Sequence, residues 1–183
     1  MMGTWMNSSD FRSILKNSIP PNSPKFLQVP QKKVPPNMLL PETSPRIGQK
    51  YVAALRNRFG GTIQDESWQA PDQVTLTVEL NSLPAVVKSL YYDFGGWLSV
   101  VAANDERPLN GNFALYYVLS VEGSEHNENG AAPSEKCYMM IRAVVPPHEP
   151  EFPAVAPHVP AAIWYEREVR DMFGLRPIGL PDE

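Results

Sequence analysis

Apolar positions recur along this chain with two periods, and the switches between them divide it into elements. Between Thr43 and Gly60, the residues Ile47, Tyr51, Ala54, Leu55 and Phe59 share one helical stripe, with Arg46, Lys50, Arg56 and Arg58 left for solvent. Thr43-Ser44-Pro45 reads as the start of that helix and Gly60-Gly61 as its stop. A weak strand follows at 62–67. A clean one comes next, in which Val74, Leu76, Val78 and Leu80 alternate with Thr75, Thr77 and Glu79. Asn81 or Ser82 is placed to cap a second helix, whose stripe of Leu83, Val86, Val87, Leu90, Tyr91 and Phe94 runs unbroken to Gly95-Gly96.

Three more strands are predicted. The first spans 97–103. The second, 113–121, is apolar on both faces and belongs inside the sheet. The third, 137–145, turns Met139, Ile141, Ala143 and Val145 to one side and Tyr138, Met140 and Arg142 to the other. Asn110-Gly111 has the composition of a hairpin turn between the first two. Residues 122–136 form a long acidic loop. The order α-β-β-α-β-β-β-α predicts an α+β, two-layer domain with a mostly antiparallel sheet of about five strands and helices on one face.

The last helix closes the pattern. Pro160 fits its first turn and Gly174 the left-handed residue after its last. Tyr165, Val169, Met172 and Phe173 make the stripe expected to pack on the domain, while Trp164, Glu168 and Asp171 lie along a neighbouring stripe. Glu166 with Arg170, and Arg167 with Asp171, are acid-to-base pairs at i, i+4, worth roughly 0.2–0.5 kcal/mol each on a solvated helix. Two readings compete: a solvated helix whose charges only aid solubility, or a surface that meets a partner. Composition alone leaves both open.

The chain is 183 residues long with 20 prolines, and eight of these fall in the first 45 positions, a density that forbids regular helix or a central strand there. Residues 1–42 are therefore read as a proline-rich arm that includes a short amphipathic turn at Phe11, Ile14, Leu15 and Ile19 before an extended stretch at 20–42, and 43–183 as a single domain. No apolar run approaches the length of a membrane span, and the start lacks the basic and apolar segments of a signal peptide. A net charge of −4 argues against nucleic acid as principal partner. A cytoplasmic protein is expected.

A resemblance separates the two readings of the last helix. Trp-Tyr-Glu-Arg-Glu-Val-Arg-Asp-Met-Phe-Gly-Leu at 164–175, followed by Gly179-Leu180-Pro181-Asp182, resembles the signature of the C subunit of NADH-quinone oxidoreductase, respiratory complex I. It is also similar to the equivalent N-terminal domain of the large subunit in membrane-bound nickel–iron hydrogenases of the formate hydrogenlyase type. Leu180 stands where complex I sequences more usually carry His. Gly95-Gly96-Trp97-Leu98, the run from Asp105 to Gly111 and Ala114-Leu115-Tyr116-Tyr117 look closer to the hydrogenase branch.

The resemblance covers roughly residues 80–183. It implies a non-catalytic subunit or domain in the cytoplasmic arm of a membrane-associated electron-transfer complex, peripheral to the membrane. It also implies no cofactor in this chain; iron–sulfur clusters and a quinone or nickel–iron site would belong to partner subunits, the large catalytic subunit among them. The docking residues it suggests are Trp164, Glu166, Arg167, Glu168, Arg170, Asp171, Pro181 and Asp182.

Other chemistry finds little support in the residues. A free-standing hydrolase built on Glu168 and Asp171 is the alternative, but such carboxylates need a cleft and separated environments, and arginines flank these. His126, His148 and His158 show no ligand spacing, and the single Cys137, between Lys136 and Tyr138, reads as a buried or half-buried inert thiol.

Overall fold

Runs rich in Val, Leu and Ile lay five strands side by side in the computed structural model, which describes residues 48–122 and 136–181. Helix α1 (Gln49–Phe59) leads into β1 (Ile63–Ala70) and β2 (Gln73–Val78). Helix α2 (Leu83–Tyr92) precedes β3 (Trp97–Asp105), and the single turn α3 (Arg107–Asn110) precedes β4 (Phe113–Val121). Strand β5 (Cys137–Val145), β6 (Glu151–Pro153), helix α4 (Ile163–Phe173) and β7 (Arg176–Ile178) complete the described chain.

The main sheet has the order β1-β2-β5-β4-β3. Its β1–β2, β5–β4 and β4–β3 pairs are antiparallel, and β2–β5 is parallel. A parallel pair needs a crossover, and the chain supplies it through α2, β3 and β4 before β5 returns beside β2. The α+β class and the helix–strand order read from the sequence match this architecture. So does the interior position of β4, flanked by β5 and β3.

One face of the sheet is the core. Alternation in β5 is strict: Cys137, Met139, Ile141, Ala143 and Val145 are buried, and the residues between them are half-buried. Against this face lie Val52 and Leu55 of α1 and Leu83, Val86, Val87 and Leu90 of α2, all without solvent exposure. Each such side chain contributes roughly 1.5–3 kcal/mol on burial. Gly48, just before α1, has φ +92°, and a Cβ there would sit 2.4 Å from Cys137 Sγ. Only glycine allows both that backbone angle and that approach of helix to strand.

Several local expectations change. The first strand extends to Ala70, and Leu80 leaves β2 for a 3-10 turn, Leu80–Ser82. Ser82 does precede α2, but its side chain makes no capping bond. Asn110-Gly111 is not a two-residue hairpin turn. Arg107–Asn110 forms a helical turn closed by Gly111 at φ +81°, because Asn110 N–H reaches back to the Glu106 carbonyl at 2.9 Å. A two-stranded parallel sheet of β6 and β7, in segments too short and proline-rich to show a period, was not expected. The helix start at Thr43-Ser44-Pro45, the arm at 1–42 and most of the acidic loop lie outside the described residues.

Candidate docking surface on the closing helix

Pro160 opens a 3-10 turn, Pro160–Ala162, that runs directly into α4, and Gly174 ends the helix at φ +70° with its N–H on the Arg170 carbonyl at 2.8 Å. Both boundary residues thus serve as their chemistry suggests. The helix packs along β3 and β7. Val169 is buried, Ile163, Tyr165 and Phe173 are half-buried, and the Tyr165 hydroxyl donates to the Ser99 carbonyl at 3.3 Å.

Two placements on this helix correct the sequence reading. Met172, expected on the packed stripe, is 69% exposed. Glu166, expected to face partners and pair with Arg170, is fully buried. Its Oε1 accepts from the Tyr117 hydroxyl at 2.7 Å and from the Val155 N–H at 2.7 Å, and its Oε2 accepts from the Ala156 N–H at 3.2 Å. Burial pushes the Glu166 carboxyl above its ordinary value despite these three donors, and burial together with the neighbouring carboxylate pushes the Tyr117 phenol well up. The packed stripe is therefore centred on Glu166 and Val169. The sequence pattern pointed elsewhere because a carboxylate is normally assigned to the wet side.

The opposite side of α4 is open. Trp164 is 73% exposed, and Glu168, Asp171 and Met172 share that exposure. The Arg167 guanidinium stacks on the Trp164 ring at 5.0 Å and donates to the Pro181 carbonyl at 3.4 Å, tying the trailing loop to the helix. Arg170 Nε meets Asp171 Oδ1 at 3.2 Å, in place of the spaced pairs expected. Structure thus brings Trp164, Arg167, Glu168, Arg170, Asp171 and Pro181 to one region and removes Glu166 from it. Asp182 lies outside the described residues. Glu168 and Asp171 stand in solvent rather than in a cleft, with an arginine beside Asp171, which is not the setting of a hydrolytic acid pair.

A second polar cluster escaped the sequence reading. Glu106, 7% exposed, accepts from the Tyr116 hydroxyl at 2.6 Å, from Asn110 Nδ2 at 2.8 Å and from Arg142 Nη2 at 2.5 Å. Arg142 Nε also donates to the Tyr116 oxygen at 3.2 Å. Burial opposes ionisation of Glu106, but the bonds from Tyr116, Arg142 and Asn110 prevail and hold its carboxyl at about 2. The i, i+4 spacing of Glu106 and Asn110 is visible in the sequence. The separation of 36 positions between Glu106 and Arg142 hides the ion pair.

Cys137 is buried under Gly48, and burial, aided by the Asp72 charge, raises its thiol to about 11. That is an inert thiol, as its place in the strand suggested. His148 and His158 are exposed in loops. Among the described residues no three His, Cys, Asp or Glu side chains converge as a metal site would require.

Comparison with known proteins fits this geometry to a family. The chain is 53% identical over 138 residues to formate hydrogenlyase subunit 5 of Escherichia coli (strain K12), covering 75% of this chain and 22% of that protein. It is 51% identical over 136 residues to hydrogenase-4 component G of the same organism, covering 74% and 23% respectively. The chain thus spans under a quarter of the length of either relative. A trypsin-resistant fragment of Nqo5 shares the fold with a TM-score of 0.54 at 22% identity, over 75% of this chain and 99% of the fragment. Residues 76–183, which include β3 to β5 and all of α4, match the family described as respiratory-chain NADH dehydrogenase, 30 Kd subunit, and the chain belongs to that family.

Proposed function

We propose that this chain is a non-catalytic docking domain of a membrane-associated electron-transfer complex of the hydrogenase or NADH-quinone oxidoreductase type. The observation that carries the reading is the asymmetry of α4. One side is fixed to the sheet through Glu166, and the other presents Trp164 at 73% and Met172 at 69% exposure among Arg167, Glu168 and Asp171. Exposed aromatic and methionine side chains ringed by charges are the composition of an interface, where the charges set register more than affinity. The family and the subunit names of the two relatives support a subunit role, and their identities favour the hydrogenase branch.

In this reading the redox centres belong to the partners: iron–sulfur subunits and a large subunit bearing the nickel–iron or quinone site. The domain itself binds no cofactor and sits on the cytoplasmic side, peripheral to the membrane through its neighbours. No helix among the described residues is long and apolar enough to cross a membrane, which is compatible with that position. The docking set is Trp164, Arg167, Glu168, Arg170, Asp171 and Pro181, joined by Met172, with Asp182 beside it in sequence.

The test compares folding with assembly. Glu168→Ala and Asp171→Ala should each shift stability by under about 0.5 kcal/mol, as exposed charges do. They should weaken co-purification with neighbouring subunits by roughly 2–5 kcal/mol of binding where the partner charge is left buried. A large loss of melting temperature with normal assembly would refute the proposal.

A further inference from the structure

The main sheet has a second face, and α1, α2 and α4 all pack on the other one. Two cross-strand rows run over this open face from β5 through β4 to β3: Met140–Val118–Val100, and beside it Tyr138–Ser120–Trp97. Met140, Val118 and Tyr138 are half-buried, whereas Val100 is 38% and Trp97 72% exposed. Apart from Ser120, the polar groups around these rows have partners among the described residues. Arg142, in the next row, is closed by Glu106 and Tyr116; the Thr75 hydroxyl, next to Met140, donates to Gln69 at 3.2 Å; the Lys136 ammonium lies over the Tyr138 ring at 5.5 Å. Ser120 Oγ, within the second row, is buried and has no hydrogen-bond partner among the described residues. Covering this face would strand no charge that the fold has not already paired.

We propose that this face is a second docking surface, occupied by an uncharged aliphatic segment of a neighbouring subunit. The proposal rests on the reading of the chain as a subunit. Two considerations choose the occupant. A charged segment would be desolvated against Met140, Val118 and Val100 with no free opposite charge among the described residues of this face to meet it, whereas aliphatic side chains lose nothing there. The size of the face decides the rest. Three strands about 4.8 Å apart and three residues at about 3.3 Å each enclose roughly 150 Å². A lasting two-chain interface needs about 800 Å² on each partner. The face is too small to hold a second copy by itself. It suits a neighbour already gripped at α4, for which the second contact is effectively intramolecular.

Photo-crosslinking from two positions separates the possibilities. The full chain, produced in its native cells, carries p-benzoylphenylalanine in place of Val118 or, separately, of Glu168, and the crosslinked peptides are sequenced. Position 118 should join an uncharged aliphatic segment of a neighbouring subunit. Val100→Glu, at the exposed end of the same row, should lower recovery of the assembled complex by about tenfold or more, the loss expected on removing a strong contact, with the melting temperature of the chain nearly unchanged. Crosslinks from position 118 to a second copy, to residues 1–47 of the same chain or to a charged segment overturn the proposal. Silence at 118 with a neighbour captured from 168 also overturns it, while leaving the α4 reading intact. Silence at both positions removes both.

Discussion

Tyr117, on a strand inside the main sheet, donates its phenolic hydrogen to Glu166 Oε1 at 2.7 Å, linking the sheet to α4 across 49 residues of sequence. The same carboxylate accepts the N–H groups of Val155 and Ala156. Those residues belong to the buried segment 154–156, which has no strand partner of its own for these two groups. One side chain therefore fixes helix, sheet and loop together. The docking face of α4 is positioned by what lies on its other side.

That arrangement predicts the cost of removing the carboxylate. Glu166→Ala leaves a phenol and two backbone N–H groups buried without an acceptor, so the loss should be about 2–5 kcal/mol of unfolding free energy. Tyr117→Phe removes one donor and leaves Glu166 two others; it should cost only about 1–2 kcal/mol. Urea melts at constant pH give both values. Equal losses for the two variants would show that Glu166 matters only through the phenol.

Glu166 also predicts a pH dependence, and its sign follows from the direction of its shift. Burial raises the folded-state value above 4.5, so the folded protein binds more protons here than the unfolded chain over the interval between the two. Its contribution is complete below about 4.5 and declines as pH rises through the folded value. Glu166→Gln removes this titration. The stability of that variant relative to the native chain should improve as pH rises from 4.5, read from paired denaturant melts. A difference that is flat with pH would mean the carboxyl is not raised.

Glu106 behaves in the opposite sense. Its carboxyl, held at about 2 against an ordinary 4.5, contributes stability that is present above 4.5 and is lost as pH falls toward about 2. Glu106→Gln should cost roughly 1–3 kcal/mol at neutral pH, because Arg142 loses a charged partner in a half-buried site. That gap should close as the native carboxyl is protonated. Acid unfolding of both proteins between pH 5 and pH 2 checks it, and a gap of constant size would overturn the assignment.

These contrasts show what the sequence made legible. Strand alternation in β5 and the stripe of α2 were readable because a period of two or 3.6 needs only apolar side chains on one side. The ends of α4 were readable because Pro160 and Gly174 act locally. The inward turn of Glu166 was not, since its partners come from residues 117, 155 and 156, and nothing within a helical turn announces them. The Glu106–Arg142 pair was hidden for the same reason. The parallel pairing of β2 with β5 was also hidden, because alternation fixes which face is buried but not which strand lies alongside.

The arm at residues 1–42 carries its own prediction, argued from sequence. Its prolines each lack an N–H donor and disfavour regular helix or central strand, so the arm is expected to contribute little to the domain's hydrogen bonding. A chain beginning at Thr43 should fold and melt within a few degrees of the full chain, and limited proteolysis should cut between Pro20 and Thr43. Aggregation of the shortened chain would place the boundary earlier.

Met172 and Leu175, three positions apart, give the sharpest test of which side of the closing helix faces the domain. Leu175 is completely buried just past Gly174, and truncating it should cost about 2–5 kcal/mol through lost transfer energy and the cavity left behind. Met172 is 69% exposed, so Met172→Ala should change stability by under about 0.5 kcal/mol. The same Met172 substitution should weaken assembly, because an exposed methionine beside Glu168 and Trp164 offers flexible apolar area to whatever covers α4. Thermal melts of the two alanine variants, run beside co-purification of the neighbouring subunits, read both quantities. If Met172→Ala destabilises the isolated chain as much as Leu175→Ala does, the helix is rotated from the position described, and the surface built on Trp164, Glu168 and Met172 goes with it.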